Sequence, residues 1–216
     1  AMLKRLNYLT KLYGVADGWK LPAYEREGGY EQAKRALGMS RDALIAEMKA
    51  ANIRGRGGAG FPMGVKWSFM PWPPKPEKPH YLVINADEGE PGTCKDRTLM
   101  ELNPHACVEG CIIGCFGIGA HAAYIYVRDE LHLSKERLWG AIAEAKAKGY
   151  LGAKPFGIDY YDPEFTGAGE RLGAIEYDEL VAEGDPDYAW HMPDDEWNAI
   201  TLKYTSRTTA DPMGVV

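Results

Sequence analysis

Residues 81–97 read Tyr-Leu-Val-Ile-Asn-Ala-Asp-Glu-Gly-Glu-Pro-Gly-Thr-Cys-Lys-Asp-Arg. Tyr81 to Asn85 is a short apolar run that predicts a strand, and a turn crowded with carboxylates follows at once. Working outward, Pro104 to Phe116 predicts a helix with proline in its first turn. Ala122 to Val127, aromatic and β-branched, predicts a second strand. Ser134 to Lys148 predicts an amphipathic helix: Ser134 caps it, Leu138, Ile142 and Ala145 line one face, and Gly149 ends it. Ile158 to Tyr161 is a candidate third strand. Strand, helix, strand, helix, strand implies an α/β fold with a parallel sheet and right-handed crossovers.

Upstream, Tyr30 to Leu37 and Arg41 to Ala51 carry helical spacing, with Ser40 as an N-cap. A loop follows, Arg54-Gly-Arg-Gly-Gly-Ala-Gly-Phe-Pro-Met-Gly-Val-Lys-Trp67. Pro71 to Pro79 then holds five prolines in nine residues and predicts an extended surface connection. Eighteen residues between Glu109 and Arg128 lack Asp, Glu, Lys and Arg, the lower limit for a membrane span. Gly110, Gly114, Gly117, Gly119 and His121 interrupt them, so the expectation is a buried helix, a glycine turn and a buried strand, with no direct membrane span. No signal peptide is read at the start.

Two loops carry the chemistry. Gly55, Gly57, Gly58 and Gly60 let backbone N–H groups approach a ligand and form an anion nest. Lys66 can set a cation on a phosphate, and Phe61, Trp67 and Phe69 can cover a flat ring. The plain alternative is a flexible basic loop. Asn85, Asp87, Glu88 and Glu90 follow the first strand, where a parallel sheet places its ligands. Carboxylates repel phosphate but accept hydrogen bonds from sugar or ribityl hydroxyls. A solvated acidic turn and a Mg²⁺ or Ca²⁺ site are the alternatives, although EF-hand spacing is missing. Together the loops suit a ligand with a phosphate at one end and hydroxyls in the middle.

The composition is that of an ordinary globular chain: 216 residues, 45% hydrophobic, 26% charged. A net charge of −6 leaves no basic surplus for a nucleic-acid partner. The 25 glycines and 14 prolines exceed ordinary usage of about 7% and 5%, which predicts demanding loops. Cys107, Cys111 and Cys115 share one helical face and suggest core packing over a cluster site. Cys94 lies in the acidic loop and is a candidate reactive thiol. The five histidines are scattered and suggest no ligand pair or nucleophilic triad.

RGRGGAGFPMGVKWSF at 54–69, YLVINADEGEPGTCKDR at 81–97 and YIYVRDE at 124–130 resemble one family. It is the flavoprotein subunit of respiratory NADH:quinone oxidoreductase, the F subunit of complex I or the 51 kDa subunit of mitochondria. Diaphorase subunits of hydrogenases and formate dehydrogenases are similar. The resemblance, supported by GGYEQAKRAL at 28–37 and KGYLGAKPFG at 148–157, runs from about residue 25 to Gly169. It implies a Rossmann-like domain that binds FMN and NADH, hydride transfer to flavin, and electron transfer onward to an iron–sulfur cluster and quinone. It implies FMN contacts at Gly55, Gly57, Lys66, Asn85, Asp87 and Glu88, and NADH contacts at Phe61, Phe69 and Glu90. It also implies partner subunits in a respiratory or diaphorase complex. The expected location is peripheral, on the cytoplasmic face of the inner membrane or the mitochondrial matrix side.

Met63 replaces the family's usual threonine. Beyond Gly169 the family's Tyr-x-Cys-Gly-Glu-Glu-Thr segment, its Asn-Asn flavin segment and the ligands of its 4Fe-4S cluster are missing. DDEWNAITLKYTSRTTADPMGVV at 194–216 resembles a degenerate piece of an adenylate-forming acyl-CoA synthetase. The expected organisation is therefore a helical segment at 1–53, an incomplete FMN/NADH-binding domain at 54–169, and an appended, poorly packed tail at 170–216. A truncated, non-catalytic remnant is the alternative function, and an ATP-dependent acyl-CoA synthetase fragment a lesser one.

Overall fold

The computed structural model describes residues 8–152, 158–159, 175–185, 187, 203–204 and 214–215. Three helices come first: α1 (Leu21–Arg26), α2 (Glu31–Leu37) and α3 (Arg41–Ala51). Short α4 (Met63–Ser68) follows the glycine loop, then β1 (His80–Ala86), α5 (Lys95–Leu102), α6 (Pro104–Ile118), β2 (Ala120–Val127) and α7 (His132–Ala147). Beyond these lie β3 (Ile158–Asp159), β4 (Ile175–Glu176), α8 (Tyr177–Ala182), β5 (Lys203–Tyr204) and β6 (Gly214–Val215).

The fold is α/β, as the alternation of elements implies. β1 and β2 pair in parallel, with Val83 opposite Tyr124 and Ala86 opposite Val127. The 15-residue α6 makes the crossover, as a parallel connection requires. It ends where Gly119 takes φ 70°, so the charge-free stretch is a helix, a glycine turn and a strand, but the strand is half-exposed and not buried as expected. No described helix is long and apolar enough to cross a membrane.

Two further expectations need correction. The third strand does not join this sheet. β3 pairs with β4, so among the described residues β1 and β2 form a two-stranded sheet. A run as short as Ile158–Asp159 carries too little apolar pattern for sequence to choose its partner. Ser134 is not a cap either. α7 starts at His132, and Ser134 is buried inside its first turn, donating to Glu101 at 3.3 Å. Ser40 does cap α3, accepting from the Ala43 amide at 3.2 Å. Residues 160–161 of the expected third strand and most of the expected tail at 170–216 lie outside the described residues.

The core has a polar centre. Leu12, Tyr24, Tyr30, Val108, Ala141 and Ala145 pack between the N-terminal segment, α6 and α7. Inside it Glu109 of α6 accepts from the Tyr24 hydroxyl, from the Tyr30 amide at 3.0 Å and from the Ala33 amide at 2.9 Å. Tyr30 begins α2 in a left-handed conformation without a capping side chain, so Glu109 caps that helix from across the core. The Tyr30 hydroxyl meets His105 Nδ1 at 2.8 Å, and His105 Nε2 meets Glu144 at 3.0 Å. Burial pushes the His105 pKa down against the pull of Glu144, which leaves a neutral imidazole near pH 7. The network fastens the first helices to α6 and α7.

Candidate functional site

The glycine loop is a closed bulge on a narrow neck. Arg54 and Pro62 form an antiparallel bridge, the Gly55 amide donates to Phe61 O at 3.0 Å, and Met63 N donates to Ile53 O at 2.8 Å. Arg54 reaches back to Gly60 O at 3.2 Å. Gly58 and Gly60 have φ of 114° and 63°, where a side chain would strain the backbone. Gly57 differs. Its φ is ordinary, and a Cβ there would meet nothing within 4 Å. Neither backbone nor packing within the chain demands glycine at 57, and its backbone is exposed.

α4 carries Lys66 and is held on two sides. Gly64 packs on the α3 backbone, where an added Cβ would lie 2.5 Å from Lys49 N. Trp67 sits in a notch on α6 that Gly114 and Gly117 open; a Cβ at 117 would approach the indole to 2.8 Å. Arg41 donates to the carbonyls of Gly117, Trp67 and Met70 at 3.0 to 3.3 Å and stacks on Trp72 at 4.8 Å. These contacts fix the root of the loop while Lys66 stays exposed. Phe61 and Phe69 flank α4 with ring centroids 6.1 Å apart and tilted by 51°. Phe69 is 65% exposed, an aromatic surface presented to solvent.

The carboxylate loop leaves the carboxyl end of β1 as expected. Asn85 is exposed at the strand end, and its Oδ1 accepts from the Asp87 amide at 3.0 Å. Glu88 turns inward. Its side chain is 2% exposed and accepts from the Asp96 and Arg97 amides at 2.8 and 2.9 Å. Burial raises its pKa, but those amides and the Lys95 ammonium outweigh it and hold the carboxyl below the usual range. Glu88 therefore caps α5, and its oxygens are engaged there. Glu90 is exposed.

Sequence reasoning passed over Arg128. It stands one residue past β2, and the register sets it beside Asp87, one residue past β1. Its Nε lies 3.5 Å from Asp87, and the guanidinium grips Glu130 at 3.2 and 2.7 Å. That grip pushes the Glu130 carboxyl down to about 2. Among the described residues no group of three His, Cys, Asp or Glu stands close enough to hold a metal. Burial pushes Cys107 up to about 11 and Cys111 to about 12, so both stay protonated and pack as small residues.

The described residues thus give a parallel strand pair, an exposed glycine loop followed by an exposed lysine, and polar groups at a strand's carboxyl end, which is where open α/β sheets place their ligands. Residues 48–183 match the family described as the Nuo51 FMN-binding domain, and the chain belongs to that family. The match passes Gly169, where the sequence resemblance ended. The NADH-quinone oxidoreductase F 1 subunit of Rhizobium meliloti (strain 1021) is 48% identical over 77% of this chain and 39% of its own length. The mitochondrial NADH dehydrogenase (ubiquinone) flavoprotein 1 of Dictyostelium discoideum is 48% identical over 70% of this chain and 31% of its own. A solved NAD+-reducing NiFe-hydrogenase, air-oxidized, aligns at 40% identity with TM-score 0.46 over 51% of this chain and 19% of that one. The chain thus spans 31 to 39% of those two curated relatives. The acyl-CoA synthetase likeness of the tail finds no support in these comparisons.

Proposed function

We propose that this chain is the FMN- and NADH-binding part of an NADH dehydrogenase flavoprotein subunit. The observation that carries the reading is Gly57, a glycine that neither backbone nor packing requires, in a loop rooted beside Lys66. The residues suit the group. Gly57 offers an exposed amide to a phosphate and Lys66 adds a cation, while Gly55, whose amide is held by Phe61 O, shapes the neck of the loop. Asn85 and Asp87 at the end of β1 suit ribityl hydroxyls. Glu88, engaged at α5, supports this reading as a shaper of the loop more than as a direct contact. Phe61 and Phe69 suit stacking against NADH, with Glu90 taking a nucleotide hydroxyl.

FMN, when bound, would accept hydride from NADH and release electrons singly. The protein's part is to hold the phosphate, orient the ribityl chain and stack the nicotinamide donor. Partner subunits would receive the electrons through an iron–sulfur cluster toward quinone, from a peripheral position on the inner face of the membrane. NADH:ferricyanide reductase activity after reconstitution with FMN tests the reading, because the assay needs flavin and NADH alone. Activity that vanishes in Glu90→Ala supports it. No activity from a folded, FMN-loaded chain favours the second reading, a non-catalytic remnant, which the partial coverage of the relatives motivates.

A further inference from the structure

Arg128 has a place that the reading above leaves unassigned. The parallel register carries β1 and β2 to the same end together, Ala86 opposite Val127. The next residues are Asp87 and Arg128, whose charged groups meet at 3.5 Å. Two residues on, Gly89 lies beneath the guanidinium: a Cβ there would come within 2.0 Å of Arg128 Nη1. Gly89 has no left-handed φ, and the group nearest to a side chain there would be the guanidinium of Arg128. On its far side the guanidinium is oriented by Glu130 through two hydrogen bonds. Glu88 is held by the α5 amides and Lys95, and Arg128 is the cation beside Asp87 in the same loop.

We propose that Arg128 is the positioning residue of the carboxylate loop. It ties the end of β2 to the loop after β1, lies over Gly89, and holds residues 87–90 in the arrangement that receives the flavin nucleotide. The inference rests on the FMN reading. Arginine suits the task better than lysine because its planar fork contacts Asp87, Gly89 and Glu130 at once.

The test uses the full chain as parent, Arg128→Ala, Arg128→Lys, Gly89→Ala and the double variant Gly89→Ala/Arg128→Ala. FMN affinity is read by flavin fluorescence, and amide hydrogen exchange is followed over 87–93 without ligand. Arg128→Ala should weaken FMN about tenfold and speed exchange by a similar factor, while Arg128→Lys, which keeps the charge but loses the fork, should fall between the alanine variant and the parent in both readouts. Gly89→Ala, which moves the far end of the guanidinium, should change FMN affinity and exchange in the same direction as Arg128→Ala but by less, and should add nothing once Arg128 is alanine. Arg128→Ala with parental FMN affinity and parental exchange overturns the proposal, as do additive effects in the double variant. A parent that never saturates with FMN overturns the functional reading instead, and the exchange data still decide whether Arg128 holds the loop.

Discussion

Glu109→Gln should be among the most damaging single-atom changes in this chain. Glu109 is 7% exposed and receives the Tyr24 hydroxyl and the Tyr30 amide on Oε2 and the Ala33 amide on Oε1. A glutamine oxygen can keep the first pair, but its NH2 then faces the Ala33 N–H, donor against donor. Hydrogen bonds to a charged acceptor contribute about 1.5–3 kcal/mol each, and a stranded buried amide costs about 1–3 kcal/mol. Allowing for relaxation, the loss should be about 3–5 kcal/mol, a large share of a typical 5–15 kcal/mol. Urea unfolding followed by circular dichroism would show the midpoint falling by about 2 M at unchanged slope. A loss below about 1 kcal/mol would refute the view that this carboxylate fastens α2 to α6.

Gly57→Ala should weaken FMN about tenfold yet leave the melting temperature unchanged, because its Cβ meets no protein atom. Lys66→Ala should cost FMN binding about 1.5–3 kcal/mol by isothermal titration, with the loss shrinking as phosphate is added to the buffer. Gly117→Ala should destabilise the fold by about 1–3 kcal/mol in urea, since the Cβ would press on the Trp67 indole at 2.8 Å. For pH, His105 has a folded pKa below its unfolded value of about 6.5. The unfolded chain therefore takes up the proton first, and stability should fall as pH drops below about 6.5. His105→Gln should flatten that slope in denaturation curves between pH 7 and 5.

The local pattern of β1, α6, β2 and α7 is legible because each element shows its own period or apolar run. The glycine turn at Gly119 and the cap at Ser40 are likewise written in single residues. What sequence left hidden is pairwise. Glu109 reads as a mere boundary of an apolar stretch until α2 folds against α6 and places two amides on it. Glu88 reads as a ligand carboxylate until α5 begins where its oxygens can cap it. Arg128 gains its meaning only from strand register, and Gly114 and Gly117 gain theirs only from the indole of Trp67. The β3–β4 pairing was illegible for another reason: two-residue strands carry no period.

Titration of the purified chain with FMN, followed by quenching of flavin fluorescence, tests the central claim most directly. The account predicts saturable one-to-one binding at micromolar FMN that Asn85→Ala and Lys66→Ala each weaken without altering the circular dichroism spectrum. A folded chain that shows no saturation at high micromolar FMN would contradict it.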